Sequence, residues 1–184
     1  MTRIVILISG RGSNMKALAH AASQMSNVAI SAVISHRANS DGLAWAQAQG
    51  LQTEQLVYDA AGGQTRAQYD QALADCIDRY QPDLVLLAGF MRILSDAFVQ
   101  HYTGRLINIH PSLLPLFPGL HTHQQALDAG VRVHGCSVHF VIPALDQGPI
   151  IAQAVVPVMT DDTAQILGDR VLSMEHTLYP QVMR

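Results

Sequence analysis

Lysine is nearly missing from this chain: Lys16 is the one example in 184 residues, and charged residues of every kind make up 14%, against roughly 25% in an average domain. With a formal net charge of −3, there is no basic face for a nucleic-acid backbone and no polybasic patch for a membrane surface. Cysteine is scarce as well. Cys76 and Cys136 form no metal-type pair and are too few for a disulfide framework, which fits a reducing cytosol. No apolar run is long enough to span a membrane. The N-terminal Ile4-Val5-Ile6-Leu7-Ile8 gives way to Ser9-Gly10, with no signal-peptide cleavage pattern. Internal repeats, low-complexity tracts and linkers are also lacking. What is plentiful is apolar surface, at 49% of residues, enough for one compact cytoplasmic α/β domain with a real core.

The order of apolar runs and helical stripes supports that class. Residues 3–8 form a near-continuous apolar run ending at glycine, the pattern of a parallel strand buried on both faces. Gly10-Arg11-Gly12-Ser13-Asn14 then turns the chain, and a helix from about Asn14 carries Met15, Leu18 and Ala22 inward. A second strand covers Val28 to Ser35, after which Asp41 caps a helix through Leu43, Ala44 and Ala48 that stops near Gly50. Leu51 to Val57 holds a short, weak strand. Thr65-Arg66-Ala67-Gln68 fits a capping box, and its helix aligns Leu73, Cys76, Ile77 and Tyr80. Asp83 to Gly89 is the third strong strand, and Ser95-Asp96 cap a short helix. After a His-rich loop come a helix near His123 to Ala129 and two β runs, Val133 to Val141 and Pro149 to Val158. A last helix from about Asp162 buries Leu167, Val171, Met174 and Leu178. This alternation means a doubly wound sheet, with ligands at the C-terminal ends of its strands.

Three places carry chemistry. The first is the glycine turn. Its strand–turn–helix context suits a phosphate, with Gly12 allowing close approach, Ser13 and Asn14 adding donors and Arg11 adding charge. An ordinary glycine turn starting a helix is the bland alternative. Met15 stands where a dinucleotide fingerprint needs its third glycine, no Gly-Lys-Ser/Thr follows, and strand two ends in His36-Arg37 rather than an acid. A phosphate monoester fits better than a dinucleotide, and an NADP oxidoreductase using Arg37 is the weak rival.

The second place is the strand Arg105 to Ile109, which Pro111 ends while holding His110 extended. Side chains two apart share a strand face, so Asn108 and His110 project together from its C-terminal end. Five of the nine histidines, His110, His121, His123, His134 and His139, fall between 110 and 139. No His-Glu-x-x-His or Cys-pair spacing makes a metal site of them, and hydrogen-bonded structural histidines account for several, His139 and His101 first. The third place is Asp146. Asp-Gln-Gly-Pro is turn chemistry, with the carboxylate bonding its own backbone; the alternative is a carboxylate hung over the same sheet edge as His110, holding an imidazolium charged and relaying protons. Glu175 on the last helix reads equally as a solvated residue or a ligand contact.

Taken together, Gly12-Ser13-Asn14, Ala88-Gly89-Phe90-Met91-Arg92-Ile93-Leu94, the run from Asn108 to Pro115, Pro118-Gly119-Leu120-His121-Thr122-His123 and His134 to His139 resemble the phosphoribosylglycinamide formyltransferases. These are folate-dependent enzymes of purine biosynthesis. The motifs recur in order from near residue 4 to near residue 180. Ser-Leu-Leu-Pro is shared with other 10-formyltetrahydrofolate enzymes; Pro-Gly-Leu-His-Thr-His discriminates. Methionyl-tRNA formyltransferases usually read Arg-Gly-like after the prolines and add a basic C-terminal domain, and formyltetrahydrofolate deformylases add an N-terminal regulatory domain.

The resemblance implies an α/β, doubly wound, mostly parallel sheet with helices on both faces, the Rossmann-like formyltransferase fold. It implies one formyltransferase domain over residues 1–184, its first half binding nucleotide phosphate and its second half folate-binding and catalytic. Family members generally continue past the last helix with a further strand pair. By the same resemblance Gly12, Ser13, Asn14 and Glu175 bind glycinamide ribonucleotide. Arg66, Met91, Arg92, Ile93 and Leu94 match folate-binding positions, as do Asn108 and the run Ile142, Pro143, Ala144, Leu145 and Asp146. Asn108, His110 and Asp146 match the catalytic trio. The implied co-substrate is 10-formyltetrahydrofolate, with no metal and no nicotinamide. The implied partners are small molecules, with neither nucleic acid nor membrane, for a monomer or homodimer. One departure is Cys136, where the family commonly has threonine. A different acceptor, water, or a non-catalytic phosphometabolite-binding protein are the rival functions.

Overall fold

The computed structural model describes residues 1–183. Strand β1 (Thr2–Ile8) is fully buried from Ile4 to Ile8, as its unbroken apolar run requires. It turns into helix α1 (Ser13–Ala22), which buries Asn14, Met15, Leu18 and Ala22. Strand β2 (Val28–Ser35) lies parallel to β1, and β3 (Thr53–Gln55) parallel to β2, with α2 (Asp41–Ala48) between them in sequence. After α3 (Arg66–Asp78), β4 (Leu84–Leu87) returns to the other side of β1, again parallel. Then come α4 (Asp96–His101), β5 (Leu106–His110) and α5 (Thr122–Asp128). Strands β6 (Val133–Phe140) and β7 (Ile150–Pro157) pair antiparallel, ahead of α6 (Ala164–Leu178) and a closing 3-10 turn, Tyr179–Met183.

The seven strands form one sheet in the order β3-β2-β1-β4-β5-β6-β7. This is the mostly parallel, doubly wound α/β sheet that the alternation of strands and helices implies. The chain divides into two compact units, Met1–Ile107 and the part from Asn108 onward, so the boundary falls inside β5. In the first unit the β3-β2-β1-β4 strands form the core with α1 to α4. In the second, α6 packs on both strands of the β6–β7 hairpin, and α5 packs on α6.

Local details sharpen several boundaries. The cap of α2 is Ser40, whose extended backbone lets its Oγ accept from the Leu43 N–H at 3.3 Å; Asp41 is the first helical residue. Adjacent serine and aspartate compete for one cap, and the residue with the non-helical backbone takes it. The same Ser40 Oγ donates to the Gly10 carbonyl at 2.9 Å, tying α2 to the glycine turn. Lys16 on α1 lies over the ring of Trp45 on α2, 5.6 Å from its centroid. The capping box of α3 forms as expected, with Thr65 and Gln68 bonding reciprocally. On α6 the buried stripe is Leu167, Val171, Glu175 and Leu178; Met174 is half-buried, and the acid takes the position expected for it.

Candidate active site

Two clusters, one in each unit, gather the polar groups singled out by sequence. In the first unit, Gly12 sits at φ 68 as the cap of α1, a conformation that costs a side chain but not glycine. A Cβ on Gly12 would stand 3.0 Å from the Gly42 Cα, so α2 closes directly against the turn. The Gly42 N–H also donates to the Gly10 carbonyl at 3.0 Å. In front of the turn is a cavity of about 220 Å³ lined by Ser9 to Asn14 together with Arg37, Ala88, Gly89 and Met91. It lies past the ends of β1 and β4, where the strand order reverses, the crevice at which such sheets take ligands. The N-terminus of helix α1 borders it, and Arg11 and Arg37 add positive charge, which suits an anion. The volume, below the ~300–1,000 Å³ of a drug-sized site, has room for a group the size of phosphate but not for a dinucleotide. Arg37 is a residue that sequence reasoning weighed for NADP and missed here; its place just after β2 was the available signal.

The segment between β4 and α4 is strapped down at three points. The Met91 N–H donates to Ser9 Oγ at 2.6 Å, the Arg92 guanidinium lies 4.2 Å from each of the Tyr58 and Tyr69 rings, and the Ser95 N–H donates to Asp70 Oδ2 at 2.7 Å. An anchored backbone explains how Met91 and Ile93 can hold side chains 66% and 64% exposed. The guanidinium of Arg92 is engaged with aromatic faces, whereas Arg66 is exposed at the first position of α3.

In the second unit, Asn108 and His110 stand on the last turn of the β5 pleat, where Pro111 stops the ladder. His110 Nδ1 lies 3.5 Å from Asp146 Oδ2, an ion-pair separation, with both side chains over nine-tenths buried. Asp146 has φ 53, and its Oδ2 accepts from the Gly119 N–H at 2.9 Å. The carboxylate therefore serves a residue 27 positions away and does not cap its own turn. His110 Nε2 donates to the Phe117 carbonyl at 3.1 Å. Ile142 to Leu145 form the exposed turn leading into Asp146.

His139 belongs to this cluster, which sequence reasoning treated as a purely structural histidine. Its Nδ1–H donates to the Phe140 carbonyl at 2.9 Å, leaving Nε2 to accept from Asn108 Nδ2 at 3.2 Å. Burial lowers the His139 pKa, more than the Asp146 charge and the Phe140 carbonyl raise it. The ring is accordingly neutral, and its 4.0 Å approach to Asp146 Oδ1 is no ion pair. A neutral His139 orients the Asn108 amide and leaves its other N–H free to donate. The remaining histidines of the cluster sort differently: His123 Nδ1 and His134 Nε2 bond each other at 3.1 Å, and His121 caps α5 at φ 58.

Glu175 is 6% exposed, which excludes a solvated-face role. It lies near Cys136, whose thiol is pushed up to about 12 by burial first and the Glu175 charge second. That thiol stays protonated and inert.

A family model described as "Formyl transferase" matches residues 2–183. The chain belongs to the formyl transferase family. Phosphoribosylglycinamide formyltransferase of Escherichia coli (strain K12) is 51% identical over 181 residues, covering 98% of this chain and 84% of that protein. The trifunctional purine biosynthetic protein adenosine-3 of Bos taurus is 44% identical over 183 residues, 99% of this chain but 18% of that protein. Among solved structures, glycinamide ribonucleotide transformylase 1 from Symbiobacterium toebii superposes with a TM-score of 0.94 at 43% identity, covering 100% of this chain and 86% of that one. The phosphoribosylglycinamide formyltransferase from Coxiella burnetii gives 0.92 at 46%, covering 99% and 85%. As a formyl transferase the protein is an enzyme of one-carbon group transfer. No helix among the described residues is long and apolar enough to cross a membrane.

Proposed function

We propose that this formyl transferase moves the formyl group of 10-formyltetrahydrofolate to the amino group of glycinamide ribonucleotide, a step of purine biosynthesis. The similarity to enzymes named for that reaction supports the acceptor. The observation that carries the reading is the convergence of Asn108, His110 and Asp146, with His139 orienting the amide. The cavity at the glycine turn takes the phosphate through Gly12, Ser13 and Asn14, and Glu175 serves the ribose side. Folate is held by Arg66, the strapped residues Met91 to Leu94 and the Ile142 to Asp146 turn.

In this mechanism the glycyl amine attacks the formyl carbon, a C–N bond forms, and the formyl oxygen becomes an oxyanion. Asn108 Nδ2–H donates to that oxygen, and His110 Nε2–H exchanges the Phe117 carbonyl for it while Nδ1 stays on Asp146, the second bond being charge-assisted. Asp146 balances the imidazolium and assists transfer of the amine proton to N10. The C–N10 bond then breaks, releasing tetrahydrofolate and formylglycinamide ribonucleotide. The enzyme works in this reading as one cytoplasmic domain, monomeric or homodimeric, on small molecules alone. A spectrophotometric assay with glycinamide ribonucleotide and a 10-formylfolate donor tests it. Turnover should depend on the nucleotide, and His110→Ala should lower kcat about 10²–10³-fold. Donor hydrolysis at the same rate without the nucleotide, or wild-type turnover in His110→Ala, would overturn the assignment.

A further inference from the structure

Ser9 and His36 have no part in the reaction as described, yet they meet where the two substrate-binding segments of the first unit come together. Ser9 follows the last residue of β1, is 3% exposed and forms part of the cavity wall. Its hydroxyl has two partners at short range, His36 Nε2 at 2.7 Å and the Met91 N–H at 2.6 Å. The Met91 N–H can only donate, so Ser9 Oγ accepts there, and its single proton goes to His36 Nε2. That needs a neutral His36. Burial lowers the His36 pKa to about 4, helped by the nearby Arg92 and Arg37 charges, and the ring stands edge-on to Phe90 at 5.1 Å. One hydroxyl thus joins the C-terminal ends of β1, β2 and β4. Its proton is committed to the imidazole, so this cavity-wall serine has none to offer an anion.

We propose that Ser9 and His36 are a positioning pair for the folate co-substrate: the imidazole fixes the Ser9 hydroxyl, and the hydroxyl fixes the backbone of residues 91–94 against the glycine turn. This rests on the reading of residues 91–94 as folate-binding. The pair touches neither substrate, and its effect appears in folate binding and not in phosphate binding.

The test is a split of Michaelis constants across four variants, Ser9→Ala, His36→Leu, His36→Gln and the double Ser9→Ala/His36→Leu. Amide hydrogen exchange at Met91 is measured alongside, so that the assignment does not depend on activity. Ser9→Ala should raise KM for the folate donor about tenfold, the size expected for losing one well-aligned hydrogen bond, with KM for glycinamide ribonucleotide within twofold of wild type. His36→Leu should raise the folate KM several-fold, and His36→Gln, which keeps an acceptor, should restore it. The double variant should be no worse than Ser9→Ala, because His36 acts through Ser9. Met91 exchange should accelerate in the same order.

A rise in the nucleotide KM with an unmoved folate KM in Ser9→Ala would overturn the proposal and make Ser9 a phosphate ligand. A lowered melting temperature with both constants at wild type would overturn it too. Ile93→Asp, at an exposed position, separates the two readings. An unmoved folate KM there removes the folate role of residues 91–94 and the proposal with it. A raised folate KM there, with Ser9→Ala and His36→Leu silent, overturns the positioning pair alone.

Discussion

His110 and Asp146 face each other with both side chains buried, and the backbone at Asp146 offers a clean way to separate charge from shape. Its φ of 53 is a conformation that asparagine tolerates at least as well as aspartate. Asp146→Asn should therefore keep the turn and the bond from Gly119 while removing the charge beside His110. We expect kcat to fall on the order of 10²-fold, with KM for glycinamide ribonucleotide changed less than threefold, in steady-state assays. Near-full turnover would reduce the carboxylate to a loop anchor. At this scale the sequence was legible where the signal is local. Asn108 and His110 could be placed from their spacing on a strand and from Pro111. Asp146 stayed ambiguous because Asp-Gln-Gly-Pro carries a local turn signal, whereas its partner Gly119 is remote. The place of His139 beside Asn108 was hidden for a related reason: the register shifts between Val138 and His139, so alternation along the strand cannot say which face the ring takes.

Among the elements, α2 has an unexpected importance for the glycine turn. Gly42 is buried against it, and a Cβ there would stand 2.8 Å from the Gly10 oxygen and 3.0 Å from the Gly12 Cα. Gly42→Ala should push the turn forward, raising KM for glycinamide ribonucleotide about tenfold while leaving the folate KM in place. The overpacking should cost about 1–3 kcal/mol of stability. Kinetics with each substrate, together with denaturant melts, check both parts; a variant that loses stability but keeps its nucleotide KM would deny the coupling. Strands β1, β2 and β4, the α3 capping box and the stripe of α1 were all readable, because long periodic runs and reciprocal caps are local. The α2–turn contact was not, since Asp41-Gly42 reads as ordinary helix-start chemistry. Only packing shows that residue 42 must lack a side chain.

Across the whole molecule, buried neutral histidines tie stability to pH. Burial lowers the pKa of His36 and His134 to about 4 from 6.5, and it also lowers those of His123, His139 and His176. The unfolded chain protonates these rings as pH falls through 6.5, whereas folded His36 and His134 wait until about 4. Between those values the unfolded state binds more protons, so stability is full above 6.5 and declines toward pH 4. Asp162, held down to about 2 by its bonds from Arg170 and Met159, adds its own loss below the ordinary carboxylate range. Calorimetry should give a lower Tm at pH 5 than at pH 7.5, and His134→Gln should shrink the difference; a Tm constant across that range would contradict it. The doubly wound class followed from the alternation of elements. The strand order and the division inside β5 did not, because composition does not change at residue 107 and pairing partners lie far apart in sequence.

The contact of Lys16 with Trp45 joins the chain's one lysine to its one tryptophan. All indole emission therefore originates at a single place, beside an ammonium on the helix whose N-terminus borders the glycine-turn cavity. The protein carries its own fluorophore for that cavity. Titration with glycinamide ribonucleotide, with no formyl donor present, should change the emission intensity and yield a dissociation constant without turnover, and Lys16→Met should alter the starting intensity. A flat titration would mean that α1 and α2 do not respond when the phosphate arrives.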